Sequence, residues 1–200
     1  MAQSINSTPC GLILASASPR RSELLQRMGL RFEICPSGID EDDSGSKGPE
    51  LLVMNNAQLK ASDVAQQHPH AITLGADTTV VLDNTIFSKP HDLAEAASML
   101  TALSGRWHRV MTAVALVWPQ GEFYESFISY SAVQFKSLNR ALIEAYFQRV
   151  NPLDKAGAYG IQTGREMIIE SVKGSIENVM GLPVHILAEK FASNGFVFDS

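Results

Sequence analysis

The sequence predicts an α/β fold, and three observations carry that prediction. Apolar runs of strand length alternate with amphipathic stretches of helix length along the 200 residues. The first run, Leu12 to Ala15, passes through a tight turn directly into a helix start at Ser18-Pro19. Two further pairs of strands are joined by turn sequences, Asp83-Asn84 and Pro119-Gln120-Gly121. With 45% hydrophobic residues the chain can bury a full core as one domain, expected over residues 10–195. Residues 1–9 are polar and expected to be disordered.

Each element has a local reason. Ser18 suits an N-cap, Pro19 the first helical position, and Leu24, Leu25 and Met28 give that helix an apolar face that Gly29 ends. Leu30, Phe32 and Ile34 alternate as in a strand, with Glu33 on the opposite face. An acidic loop, Asp40 to Asp43, follows without Ca²⁺-loop spacing. Pro49 opens a helix to about Gln67 that carries Lys60. Ala71–Ala76 and Thr79–Leu82 read as strand, turning at Asp83-Asn84. Asp92 and Glu95 form a capping box for a helix that reaches Leu103. Arg106–Trp118 and Phe123–Lys136 read as long paired strands, with Arg106, His108 and Thr112 the polar positions of the first. Ser137–Val150 reads as a helix, Met167–Val172 as a strand, and Gly181-Leu182-Pro183 as the start of the last helix.

Composition excludes several classes. The formal charge is −5 and no basic stripe occurs, so nucleic acid is not an expected partner. No apolar run reaches membrane-spanning length. The N-terminus carries no secretory signal, so a soluble cytoplasmic protein is expected. Cys10 and Cys35 show neither metal spacing nor a disulfide framework. His68 and His70 lack a nearby third ligand.

The chemistry is expected in the stretch Leu74–Pro90. Asp77 sits inside an apolar, β-branched context and is followed by two threonines. A carboxylate placed there either caps a turn or is paired, liganded or catalytic. Arg20 and Arg21 fall in the first turn of a helix, where the dipole disfavours cations. An anion held between them would explain the placement, and solvated arginines are the alternative. The segment Asn151–Gln162 mixes small residues with charge; it is either a close-approach loop for a ligand or a plain connection. Phosphate-loop, dinucleotide and nucleophile-elbow motifs are absent. Cations (Arg20, Arg21, Lys60, Lys89, Lys155) and carboxylates (Glu33, Asp40, Asp77, Asp154) at element ends suit phosphate chemistry.

Several segments together resemble the Maf family of nucleoside triphosphate pyrophosphatases. They are Ala15–Arg21 (ASASPRR), Gly75–Thr78 (GADT), Lys89-Pro90, Ser104–Arg106 with His108–Val110 and Thr112, Asp154–Gln162 (DKAGAYGIQ) and Val179–Pro183 (VMGLP). The resemblance implies a mixed, twisted central sheet flanked by helices, inosine triphosphatase-like, with a cleft between two lobes. It implies hydrolysis of a nucleoside triphosphate to the monophosphate and pyrophosphate with Mg²⁺ or Mn²⁺, in a homodimer. Carried over by position, Asp77 resembles the family's proton acceptor, and Arg20, Thr78 and Gln162 fall where base preference is set. Ser16, Arg21, Lys60 and Lys89 fall on positions that handle phosphate, and Glu33 is the candidate metal carboxylate. The GADT, His-Arg-Val and DKAGAYGIQ forms are similar to the branch acting on dTTP and UTP. A 7-methyl-GTP branch and a nucleotide-binding regulator of cell division or septum formation are the alternatives within the same resemblance.

Overall fold

The computed structural model describes residues 9–41, 45 and 48–198. The expected disordered segment therefore lies, apart from Pro9, outside the described residues, as do Asp42 and Asp43. The strands are β1 (Leu12–Leu14), β2 (Glu33–Ile34), β3 (Ile72–Leu82), β4 (Thr85–Phe87), β5 (Trp107–Trp118), β6 (Phe123–Phe135) and β7 (Ile169–Lys173). The helices are α1 (Pro19–Arg27), α2 (Pro49–Ala65), α3 (Leu93–Leu103), α4 (Arg140–Phe147), α5 (Arg165–Ile168), α6 (Ile176–Met180) and α7 (Val184–Ser193). The strands form one mixed sheet in the order β2-β1-β3-β5-β6-β7, with β4 also on β3. β1 runs parallel to β2 and β3, and the other pairs are antiparallel. This is the expected α/β class with a mixed sheet flanked by helices.

Two layers cover the sheet. On one face α2 lays Val53, Ala57 and Ala61 against Val81, Met111, Ala113 and Ala115. The main core fills the other face, where Leu24 and Leu25 of α1, Leu100 of α3, Tyr146 of α4 and Leu187 of α7 meet Leu74, Val114 and Phe135. The strand pattern of the sequence explains the two-sided burial: β3 and β5 are near-continuous apolar runs, as strands covered on both faces must be.

The edge of β3 positions the site. Its first half pairs with β1, up to Leu14 against Leu74. Its second half pairs with β4, from Val80 onward. Between them, no described strand occupies that edge from Gly75 to Thr79. Neighbouring strands therefore part beside Asp77 and Thr78, the kind of split where ligands bind in open α/β sheets.

Gly75 decides how close α2 comes. A Cβ there would lie 2.3 Å from the Ala57 carbonyl oxygen and 2.6 Å from the Ala61 nitrogen. Glycine on the strand, facing alanines one helical turn apart, lets backbone pack on backbone. Gly75→Ala is therefore expected to displace α2 and destabilise the fold by about 1–3 kcal/mol, as overpacking does. A thermal melt checks this; an unchanged midpoint would show that α2 shifts freely.

Several boundaries differ from the sequence reading. β3 is one continuous strand through Asp77, not two. The strand expected over Leu30–Ile34 shrinks to two exposed residues. The helix expected from Ser137 begins at Arg140, because the Asn139 side chain accepts the Leu142 N–H at 2.9 Å. Met167 and Ile168 belong to a helical turn, and the strand starts at Ile169. Cys10 and Cys35 are free thiols. No helix among the described residues is long and apolar enough to cross a membrane.

Candidate active site

A cavity of about 400 Å³ opens at the parted edge of β3. The Ala15–Arg21 turn forms one wall, the Pro36–Glu41 segment another, and the Asp154–Ile161 and Val179–Gly181 segments close the far side. Asp77 and Thr78 stand on the floor, with Lys60 and Lys89 beside them. A smaller cavity of about 220 Å³ adjoins it and shares Ile39, Glu41, Asp77, Thr78, Lys89 and Ala156.

Asp77 is 8% exposed and points toward α2. Its Oδ1 accepts from Lys60 Nζ at 2.8 Å and its Oδ2 from Asn56 Nδ2 at 3.3 Å. Asn56 and Lys60 lie one turn apart on α2 and reach the carboxylate because Gly75, Ala57 and Ala61 admit the helix so closely. Burial pushes the Asp77 carboxyl above its ordinary pKa, with Lys60 and Arg21 pulling the other way. Lys60 Nζ also meets Glu41 Oε2 at 2.9 Å. Burial pushes Glu41 up too, but Lys60 and Lys89 outweigh it and hold the carboxyl below its usual value. One ammonium thus bridges two carboxylates of opposite tendency, the arrangement that separates a proton acceptor from a permanent anion.

Arg21 is the buried cation of the opposite wall, 9% exposed. Its Nε donates to the Gly181 carbonyl at 2.9 Å, one terminal nitrogen to Ser16 Oγ at 3.0 Å and the other to Thr78 Oγ1 at 3.2 Å. Thr112 spends its hydroxyl hydrogen on the Asn178 carbonyl at 2.9 Å, so Thr78 is the donor in the 3.0 Å bond between the two threonines. The Thr78 hydroxyl is therefore committed to holding Arg21. Arg21 makes no ion pair with any described carboxylate, and burial lowers its pKa against the pull of Asp77 and Glu41. A buried guanidinium fixed by neutral acceptors, at the start of a helix, has the chemistry to hold an anion.

Arg20 is spent differently. It pairs with Asp154 at 2.9 Å, and Lys155 meets the same carboxylate at 2.6 Å. The two neighbouring arginines therefore take different protein partners: Arg21 is held by neutral oxygens, while Arg20 ties the first wall to the Asp154 segment. Ser18 makes no side-chain cap; its own N–H donates to Ser16 Oγ at 3.2 Å, turning that hydroxyl inward.

A family model described as "Maf-like protein" matches residues 11–193. The chain belongs to this family. A dTTP/UTP pyrophosphatase of Symbiobacterium thermophilum is 43% identical over 92% of this chain and 94% of its own length. Proteins of the same name from a Geobacillus strain and from Clostridioides difficile are 44% and 42% identical, over 86% and 89% of this chain and 92% of each of theirs. A solved structure of a HAM1 protein from Coxiella burnetii aligns with TM-score 0.44 and 18% identity, over 64% of this chain and 74% of that one.

In this Maf-like chain most sequence-predicted site residues meet in the cavity: Ser16, Arg20, Arg21, Lys60, Asp77, Thr78 and Lys89 all line it. Two do not. Glu33 lies exposed on the short strand β2 and is absent from the cavity wall. Glu41, eight residues further on, is the glutamate that lines the cavity. Gln162 lines a shallower depression that shares only Arg20, Lys155 and Gly160 with the main cavity. There its Nε2 donates to Glu23 at 2.8 Å.

The donors present bear on the metal that the family resemblance implies. Among the described residues no group of three or more His, Cys, Asp or Glu side chains is arranged to hold an ion. Asp77 and Glu41, joined through Lys60, offer oxygen donors only. That set fits a hard cation such as Mg²⁺ or Mn²⁺, which takes one or two carboxylates and completes its shell with water and phosphate oxygens.

Proposed function

We propose that the protein hydrolyses nucleoside triphosphates to the monophosphate and pyrophosphate, with dTTP and UTP preferred. The observation that carries this reading is the pairing, across one cavity, of buried Asp77 with the guanidinium of Arg21, which forms no ion pair among the described residues. One group can take a proton from water; the other can hold a polyphosphate. The relatives named dTTP/UTP pyrophosphatase support the reaction and the choice of bases.

The chain's own groups divide the work as follows. Arg21, Ser16 Oγ and the free N–H groups at the start of α1 hold the phosphates. Asp77 orients the attacking water and accepts its proton. Lys60 keeps Asp77 and Glu41 in place, and Lys89, exposed on the cavity rim and free of ion pairs with described residues, meets charge developing on the pyrophosphate. A divalent cation bound at Asp77 and Glu41 would neutralise phosphate charge as bond breaking proceeds. Arg20 and Gln162 line one depression together with Lys155 and Gly160 and set base preference, with Thr78 acting through the placement of Arg21. A cytoplasmic homodimer belongs to the same reading.

The test is pyrophosphate release over canonical nucleotides and 7-methyl-GTP, with and without chelator. Buried donors and acceptors left unpaired by the wrong base cost about 1–3 kcal/mol each. dTTP and UTP should therefore lead CTP, ATP and GTP by roughly ten- to hundredfold in kcat/KM. Chelation should stop release and added Mg²⁺ or Mn²⁺ restore it. Preference for 7-methyl-GTP would reassign the branch; tight nucleotide binding without any release would favour a regulator.

A further inference from the structure

We propose that His108 is a positioning residue for this site: its hydrogen bond to Tyr159 fixes the Lys155–Ile161 wall of the cavity and so sets how tightly a nucleotide is held. The role presupposes nucleotide hydrolysis in this cavity.

The wall has little local reason to keep its shape. It contains a single 3₁₀ turn, Ala156–Ala158, in which Gly157 and Ala158 both have positive φ, 67° and 64°. For alanine that conformation is unfavourable and persists only when the surroundings impose it. Gly157 N–H donates to the Ser88 carbonyl at 3.2 Å, and two tyrosines hold the residues that follow. Gly160 N–H donates to Tyr146 Oη at 3.0 Å. Tyr159, 5% exposed, packs edge-on against Phe135 at 4.8 Å between centroids. The one polar atom of its ring, Oη, lies 2.7 Å from His108 Nε2.

His108 is built into β5 as a fixed partner. It is 3% exposed and stands edge-on to Phe135 at 4.8 Å and to Tyr159 at 5.4 Å. Burial pushes its pKa down to about 4, against a weaker upward pull from the Arg106 backbone. Burial also keeps the Tyr159 phenol protonated, so the bond joins two neutral groups throughout the working pH range. His108 does not line the cavity, whereas Tyr159 does, as does Val110 two residues along the same face of β5. His108 therefore acts on a ligand only through Tyr159.

The experiment measures kcat and KM for dTTP in the intact protein, together with the dissociation constant of a non-hydrolysable dTTP analogue. His108→Phe keeps the ring but leaves Tyr159 Oη buried without a partner. KM and the dissociation constant should both rise about tenfold or more, with kcat unchanged. Tyr159→Phe should do the same from the other side. The double variant loses the same single bond and keeps both shapes, so its loss should be no larger than that of either single variant. His108→Gln, whose amide nitrogen reaches the Nε2 position, should retain wild-type KM and affinity. Wild-type affinity in His108→Phe would overturn the proposal, as would single-variant losses that add in the double variant. Should His108→Phe not fold, Tyr159→Phe and His108→Gln decide the role: a tenfold loss in the first with wild-type affinity in the second supports it, while wild-type affinity in Tyr159→Phe or a tenfold loss in both overturns it. If the wild type released no pyrophosphate, the pyrophosphatase reading would fall, while the binding measurements would still decide the role of His108.

Discussion

Asp77→Asn is expected to lower turnover by about 10²–10⁴ while nucleotide affinity stays near wild type. The amide keeps the size of the carboxylate and still accepts from Lys60 on its oxygen, so the floor of the cavity is preserved. What it loses is the capacity to take a proton. It also presents an NH₂ group toward Asn56, so one of the two present contacts must rearrange. The pH profile separates loss of the base from loss of structure. Burial raises the Asp77 pKa, and the active form is the deprotonated one. The acid limb of wild-type kcat/KM should therefore lie above the ordinary carboxylate value of about 3.9, with rate lost as pH falls through it. In Asp77→Asn that limb should vanish from the residual rate. Near wild-type turnover in the variant would remove Asp77 from the mechanism and pass the role of base to Glu41.

The parts legible in the sequence are those with short-range causes. The Ala15–Arg21 turn announces itself through Ser18-Pro19, and the Asp92–Glu95 cap forms as read, with the Glu95 N–H on Asp92 Oδ1 at 2.7 Å. Asp77 stands out because a carboxylate in a β-branched run has few inexpensive explanations. What escapes depends on distance along the chain. Nothing near Glu41 says that it meets Lys60, far along the next helix, rather than remaining in a solvated acidic loop. Glu33 is named through the family resemblance rather than from its own surroundings, and it lies on an edge strand that gives its side chain to solvent. Asn56 leaves a trace: it repeats with Lys60 at i, i+4 along a helix whose next positions, Ala57 and Ala61, are small and buried. His108 and Tyr159, fifty-one positions apart, meet only because β5 and the Asp154–Gln162 segment converge on Phe135. The separate duties of Arg20 and Arg21 depend on partners distant in sequence, Asp154 for one and Gly181, Ser16 and Thr78 for the other.

Arg21→Met is expected to cut kcat/KM by roughly ten- to a hundredfold or more for every nucleotide alike. Hydrogen bonds to charged groups contribute about 1.5–3 kcal/mol each, and a guanidinium on a polyphosphate makes at least one. The loss should not depend on the base, because the proposed phosphate wall is that of Arg21, Ser16 and Thr78, while Gln162 lines a different depression. Stability responds in two opposing ways. Removing a buried cation that has no carboxylate partner among the described residues relieves a desolvation cost. Removing its three donors leaves the Gly181 carbonyl, Ser16 Oγ and Thr78 Oγ1 short of partners, at about 1–3 kcal/mol for each that stays unsatisfied. Thr78 and Ser16 keep other hydrogen bonds, so the carbonyl of Gly181 dominates, and a modest fall in melting temperature is expected. Arg21→Lys should not rescue activity, since one ammonium cannot span three acceptors held in fork geometry and still face the phosphates. The measurement is kcat/KM for dTTP, UTP, CTP and GTP in both variants, beside inorganic pyrophosphate as a product inhibitor. Parallel losses across the four nucleotides, with weaker inhibition by pyrophosphate, are the expected result. A change in the ranking of the bases would place Arg21 at the nucleobase and overturn the assignment of this wall to phosphate.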